Sequence, residues 1–314
     1  MVLRTAKVNT TLLMWHDSID VPLFYIKKII MQLIPCSYYD YRIVYNSNKS
    51  TSIFPCVRDE NGNKVMYCVS PIHGRSFIVG RTKEGNYIIS KGNGLSYTQY
   101  SFLHTKEFFD GTWGLLLRKD AERDFIMGKE IESLGIKTNT MHCVLELEKS
   151  QTLPNGNNIN PSLLQYEVEC PYRICDAAFM SKEQIWDEVK KWKLRNKCMY
   201  DKNYMIAAHI LISNLRILHD SDILHNAIHE QNYTWALELL DFELACSPLH
   251  PYTKEDDQRV VKDLLPREII QTYIIINYIA GVLGEKINHL EVENLFNEFG
   301  FDLKQYEIFN RLKI

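Results

Sequence analysis

The stretch His225-Asn226-Ala227-Ile228-His229-Glu230-Gln231-Asn232 is a polar loop rich in imidazoles and carboxamides, and Asp241 follows Asn232 by nine positions in Leu239-Leu240-Asp241-Phe242-Glu243. A helix precedes the loop and a buried strand is expected after it, ending in the acid. An amide oxygen and a carboxylate so placed can share one divalent cation, which in turn bridges the phosphates of a nucleotide. Asn232 and Asp241 are therefore the candidate Mg²⁺ or Mn²⁺ ligands. Lys91 is the candidate cation for the phosphates themselves. It ends the apolar run Tyr87-Ile88-Ile89-Ser90 beside Gly92 and Gly94, and glycines there allow the backbone close to a ligand. A carboxylate on the following helix would orient this lysine, and Glu122, Asp124 and Glu130 are the candidates.

The elements that must position these groups differ between the two halves. Residues 64–70, 75–81 and 86–91 are β-rich runs punctuated by Gly74, Gly80 and Gly85, as in hairpins or a meander. Residues 113–118 form a short apolar run. Residues 119–133 then carry helical spacing through Ala121, Phe125, Ile126, Ile131 and Leu134, with Gly135 as the stop. A strand is expected at 141–147, and the polar segment 149–161, with Pro154 and Gly156, reads as a linker. Beyond it, Ser181 is placed to cap a helix over 181–196, with acids early and lysines late to suit its dipole. Its Lys190, Lys191, Lys193, Arg195 and Lys197 read as a solvated face. Helices are expected at 204–219, 258–283 and 289–311, and a short strand at 236–242.

Composition bounds the function classes. The 314 residues, 46% hydrophobic and 24% charged, suit a globular chain with a sizeable core. Thirty-six basic against 39 acidic residues give a net charge of −3, which argues against holding nucleic acid by a general phosphate field. No apolar run reaches the roughly 18 residues of a membrane span. The first 17 residues carry polar residues throughout their length, unlike a signal peptide, so a cytoplasmic protein without a membrane partner is expected. The eight cysteines are scattered without CxxC spacing; Cys170 and Cys175 with His142 are expected to pack rather than to bind metal.

Several segments in one order resemble the selenoprotein O family of protein adenylyltransferases. They are Lys91-Gly92-Asn93-Gly94, Tyr100-Ser101, Asp110-Gly111, Arg118, Arg123-Asp124-Phe125 and Leu134-Gly135-Ile136-Lys137-Thr138. These are similar to that family's KGxGxTPYS, DGR, REF and LGIPT runs, and His225, Asn232 and Asp241 match the spacing of its HGxxxxDN loop and following Asp. The resemblance covers residues 74–245. It implies an α+β, bilobal protein-kinase-like fold, with a β-rich N-lobe over 1–150 that includes an N-terminal extension of about 70 residues. A helical C-lobe would span 151–314. It implies transfer of AMP from ATP to hydroxyl side chains of a protein substrate. Lys91, with Gly92 and Gly94 beside it, would then hold phosphates, Asn232 and Asp241 the metal, and Arg173, as the first arginine of the RVAxSxxR run, would be a phosphate contact of the bound nucleotide. Counting back from Leu134 places the orienting carboxylate at Asp124; counting forward from Arg118 places it near Glu122.

The sequence also departs from that family. Gln231 stands where the family has an Asp thought to act as base, and an amide cannot take the proton. Ala227 stands where ordinary kinases carry their catalytic Asp. Met180 replaces the second arginine of RVAxSxxR, and no cysteine matches the family's C-terminal redox pair. His229 is a candidate substitute base. Two other readings remain open: a pseudokinase that binds nucleotide as a scaffold, favoured by Gln231 and Met180, and a small-molecule kinase, whose HGDLHxxN loop shares His225, His229 and Asn232.

Overall fold

The computed structural model describes residues 75–93, 115–147, 150–152, 156–196, 200–251 and 264–306, together with the strand segments 33–35, 41–46, 57–58 and 64–68. Gly94, Tyr100-Ser101, Asp110-Gly111 and Lys197 lie outside the described residues. The fold is α+β with an antiparallel sheet. The chain divides into two compact units, 1–125 with 140–172, and 126–139 with 173–314. The boundary expected at 150/151 thus falls at 172/173 instead, because residues 161–168 form a strand inside the sheet.

In the first unit the strands are β1 (Leu33–Pro35), β2 (Tyr41–Asn46), β3 (Val57–Arg58), β4 (Lys64–Cys68), β5 (Ser76–Arg81), β6 (Tyr87–Lys91), β7 (Leu116–Leu117), β8 (Thr140–Leu147), β9 (Gln151–Thr152), β10 (Asn158–Ile159) and β11 (Pro161–Val168). Nine of them form one sheet in the order β1-β4-β5-β6-β11-β8-β2, with β3 on β4 and β7 on β11, while β9 and β10 pair with each other. The segment expected as a linker is therefore largely a small hairpin, followed by a central strand. β11 escapes a sequence reading because it is buried on both faces, which erases the alternation that marks a half-exposed strand.

The β5–β6 turn is closed by Gly85, at φ +92°, whose N–H donates to the Thr82 carbonyl at 3.1 Å. That hairpin sets the register that places Lys91 opposite Ser76 on β5 and Leu164 on β11. Gly92 follows at φ +96°, and a Cβ there would lie 2.6 Å from Leu116 Cβ and 2.7 Å from the Ser162 carbonyl oxygen. Close packing of β7 and β11 against the chain thus accounts for this glycine. The helix α1 (Arg118–Ser133) starts directly after β7 and buries Ala121, Phe125, Met127 and Ile131. It ends as expected at Gly135, in the left-handed region at φ +84°.

The second unit is helical: α2 (Lys182–Arg195), α3 (Asn203–Asp220), α4 (Leu264–Leu283) and α5 (His289–Glu298). Ser181 caps α2 through a capping box, accepting from the Gln184 N–H while the Gln184 side chain accepts from the Ser181 N–H at 2.8 Å. Most of α3 is buried, with Tyr204, Ala207, Leu211, Leu215 and Leu218 inaccessible. Its N-terminus is capped from a distance. The Glu285 carboxylate accepts the N–H groups of Asn203 and Tyr204 at 3.2 and 3.0 Å, satisfying orphan donors of the first turn. The helix expected to run to 311 stops at Glu298 and is followed by a 3₁₀ turn, Leu303–Gln305, capped by Asp302.

Candidate functional site

Within the first unit, Lys91 Nζ donates to Asp124 Oδ2 at 2.6 Å, and both side chains are 1% exposed. A lysine is almost never buried without a charged partner, since desolvating an unpaired ammonium costs several kcal/mol. Asp124 is thus the carboxylate that meets Lys91. Glu122 instead takes the Arg118 guanidinium at 2.5 Å near the surface, and Glu130 accepts from Ser247 Oγ at 2.9 Å. β6 carries the lysine and the first turns of α1 carry the acid, so the pair fixes strand end to helix face.

In the second unit, the segment 221–251 has no regular element, and the strand expected at 236–242 is absent. Its place is taken by isolated bridges: Tyr233 with Leu239, Thr138 with Leu239, Arg173 with Thr234 and Leu224 with Cys246. The turn after α1 packs here, because the Leu239 N–H donates to the Lys137 carbonyl at 2.9 Å and Lys137 Nζ donates to the Ala236 carbonyl at 3.0 Å. Leu237 and Asp241 both take positive φ, +58° and +67°, a backbone state that a continuous strand cannot contain.

This irregular backbone joins the loop to Asp241 by direct bonds. The Leu240 N–H donates to the Asn232 carbonyl at 2.9 Å, and His225 Nε2 donates to the Leu240 carbonyl at 2.8 Å. The Ala227 N–H donates to His225 Nδ1, which leaves the proton on Nε2. Below the loop, the buried Glu268 carboxylate on α4 accepts the Asn226 N–H at 2.6 Å and bonds His219 Nε2 at 2.9 Å. Sequence reading passed over Glu268. Its signal was a lone acid leading into an otherwise apolar helix, where a carboxylate needs buried partners.

The three candidates Asn232, Asp241 and Arg173 are brought together. Asn232 Nδ2 donates to the Ala227 carbonyl at 2.9 Å, which fixes the amide so that Oδ1 faces the other way. There Arg173 Nη1 lies 3.3 Å from Asn232 Oδ1 and 3.9 Å from Asp241 Oδ2, and donates to the Gln231 carbonyl at 2.7 Å. Arg173 is itself locked. Its N–H donates to the buried Asp176 carboxylate at 2.8 Å, and the next N–H, of Ile174, donates to the Tyr233 carbonyl at 2.8 Å. An amide oxygen and a carboxylate are hard donors of the kind Mg²⁺ and Mn²⁺ take, so the donor chemistry fits.

The departures from the resembling family also have places. Gln231 is exposed and contributes its backbone to the site, while Met180 is buried. His229 does not fit a base. Burial holds its pKa below the ordinary imidazole range, and the Gln231 N–H donates to Nδ1 at 3.2 Å. Asn232 Nδ2, which can only donate, lies 3.5 Å from Nε2, so N–H donors face both ring nitrogens and the one lone pair of the neutral ring meets a donor in either tautomer. Cys170 and Cys175 bond the Tyr172 carbonyl and the Asp176 carboxylate respectively, and burial raises the Cys175 thiol pKa well above its usual value, which suits packing rather than metal binding.

No family model matches the chain, and no curated protein matches it. Among solved structures, it is similar to the kinase domain of a Toxoplasma gondii specific rhoptry antigen, at 9% identity and a TM-score of 0.37, over 79% of this chain and 79% of that one. Among the described residues, no helix is long and apolar enough to cross a membrane.

Proposed function

We propose that this chain is a kinase-like, ATP- and divalent-metal-dependent protein adenylyltransferase related to selenoprotein O. The observation that carries the proposal is the convergence of Asn232 Oδ1 and Asp241 Oδ2 on one positively charged centre, Arg173 Nη1. Two oxygens gathered around one cation at the end of a loop such as 225–232 are what a nucleotide-bridging Mg²⁺ or Mn²⁺ requires. When bound, that ion would neutralise phosphate charge and align the phosphates. The buried Lys91–Asp124 pair supports the same reading, since a lysine held by a helix carboxylate is the arrangement kinase-like folds use to orient an ammonium for phosphates.

A hydroxyl oxygen of the protein substrate attacks the α-phosphorus, the bond to the bridging oxygen of the β-phosphate breaks, and pyrophosphate leaves. The hydroxyl proton passes to water, because Ala227 and Gln231 supply no carboxylate and both ring nitrogens of His229 face N–H donors. Without a base, transfer is slower and is carried by phosphate positioning and charge stabilisation. Ala227, at the position of the kinase catalytic Asp, favours adenylyl over phosphoryl transfer. The test is label from ATP labelled at the α-phosphate appearing on protein.

A second reading, a nucleotide-binding pseudokinase, is favoured by one feature: Arg173 lies against the oxygens that a metal would need. Binding of ATP without transfer of either label distinguishes it.

A further inference from the structure

We propose that Arg173 is the resident cation of the Asn232–Asp241 pair, and that a divalent ion enters only by displacing its guanidinium. The inference rests on Asn232 and Asp241 being cation ligands. Arg173 Nη1 is within 4 Å of both candidate ligand oxygens, and the side chain is buried, with 8% of the residue exposed. An ion about 2.1 Å from Asn232 Oδ1 would lie no more than roughly 5.4 Å from Nη1, so two like charges would share one partly desolvated pocket.

Several contacts favour the arginine. The bond to the Gln231 carbonyl holds Nη1 over the loop, and the Asp176 and Tyr233 bonds fix the backbone on either side of Cα. The Asn232 amide is pinned by the Ala227 carbonyl and cannot turn Oδ1 away without losing that bond. Arg173 therefore keeps both oxygens pointed inward while no ion is bound, and sets the concentration of free metal at which one takes over. Metal binding is a competition with a protein side chain, and removal of the guanidinium relieves it.

The experiment measures Mn²⁺ binding in the absence of nucleotide, by the loss of the free-ion electron paramagnetic resonance signal. It compares the full-length wild type, Asp241→Asn, Arg173→Gln and Arg173→Gln/Asp241→Asn. The expected result is at least tenfold tighter Mn²⁺ binding by Arg173→Gln than by wild type, lost again in the double variant. Unchanged or weaker binding by Arg173→Gln, with wild-type binding that depends on Asp241, overturns the inference and leaves the metal site standing. No Asp241-dependent binding in either protein overturns both. Arg173→Met, similar in length and uncharged, carries the same expectation if circular dichroism shows Arg173→Gln unfolded.

Discussion

The His225 ring, wholly buried, donates from Nε2 to the carbonyl of Leu240 at 2.8 Å, one residue before Asp241. One hydrogen bond thus spans the polar loop and the segment carrying the acid, and Phe242 packs edge-on against the same ring at 5.4 Å. His225→Leu removes the donor and leaves the carbonyl unpaired. Stability is expected to fall by about 1–3 kcal/mol, with weaker Mg²⁺-dependent ATP binding as Asp241 loosens. Urea unfolding and calorimetric titration check the two parts.

The structural role of the Lys91–Asp124 pair can be separated from the phosphate-binding role proposed for it. Lys91→Met alone removes the ammonium paired with a buried carboxylate and is expected to cost about 3–5 kcal/mol. Adding Asp124→Leu removes the buried charge and restores most of that stability. ATP affinity should stay lost in both variants, because the ammonium for the phosphates is gone. Recovery of ATP binding in the double variant would assign Lys91 to the fold alone.

Asp241 sits at φ +67°, where Asn is tolerated better than most residues, so Asp241→Asn removes charge with little backbone strain. It is expected to abolish Mg²⁺-dependent ATP binding while leaving the thermal transition near that of wild type. Asp241→Ala should lose binding equally and melt lower, by about 1 kcal/mol of left-handed backbone cost. Unchanged nucleotide affinity in Asp241→Asn would remove this residue from the site.

Gln231 is exposed, and the bond it gives Arg173 comes from its backbone. Gln231→Asp therefore supplies a carboxylate without disturbing that contact. Transfer activity is expected to rise, by about 10²-fold if proton removal is limiting. No gain in a protein that binds ATP would mean that positioning, rather than the base, sets the rate.

The parts legible in the sequence were those with local rules. Helix α2 announced its cap at Ser181, α1 its end at Gly135, and β6 its lysine after an apolar run. β11 was not legible, because a strand paired on both edges and buried on both faces shows no alternation. The run 236–242 was read as a strand because a short buried apolar stretch looks the same whatever its backbone does. Its positive φ at Leu237 and Asp241 is set by tertiary bonds to Lys137, Asn232 and His225. The choice among Glu122, Asp124 and Glu130 likewise depended on which acid the fold carries to Lys91, a fact of register and helix phase. Arg173 was flagged by resemblance as a phosphate contact, and its position against Asn232 and Asp241 is a tertiary relationship that no local spacing contains.

The most direct test of adenylyl transfer is incubation of the purified protein with Mg²⁺ or Mn²⁺ and ATP labelled at the α-phosphate or, separately, at the γ-phosphate, followed by measurement of label on the protein itself and on a cell lysate. The expected result is label from the α position alone, lost in Asp241→Asn. Label from the γ position alone would make the chain a kinase, and no label from either position while ATP binds would make it a pseudokinase; each contradicts adenylyl transfer.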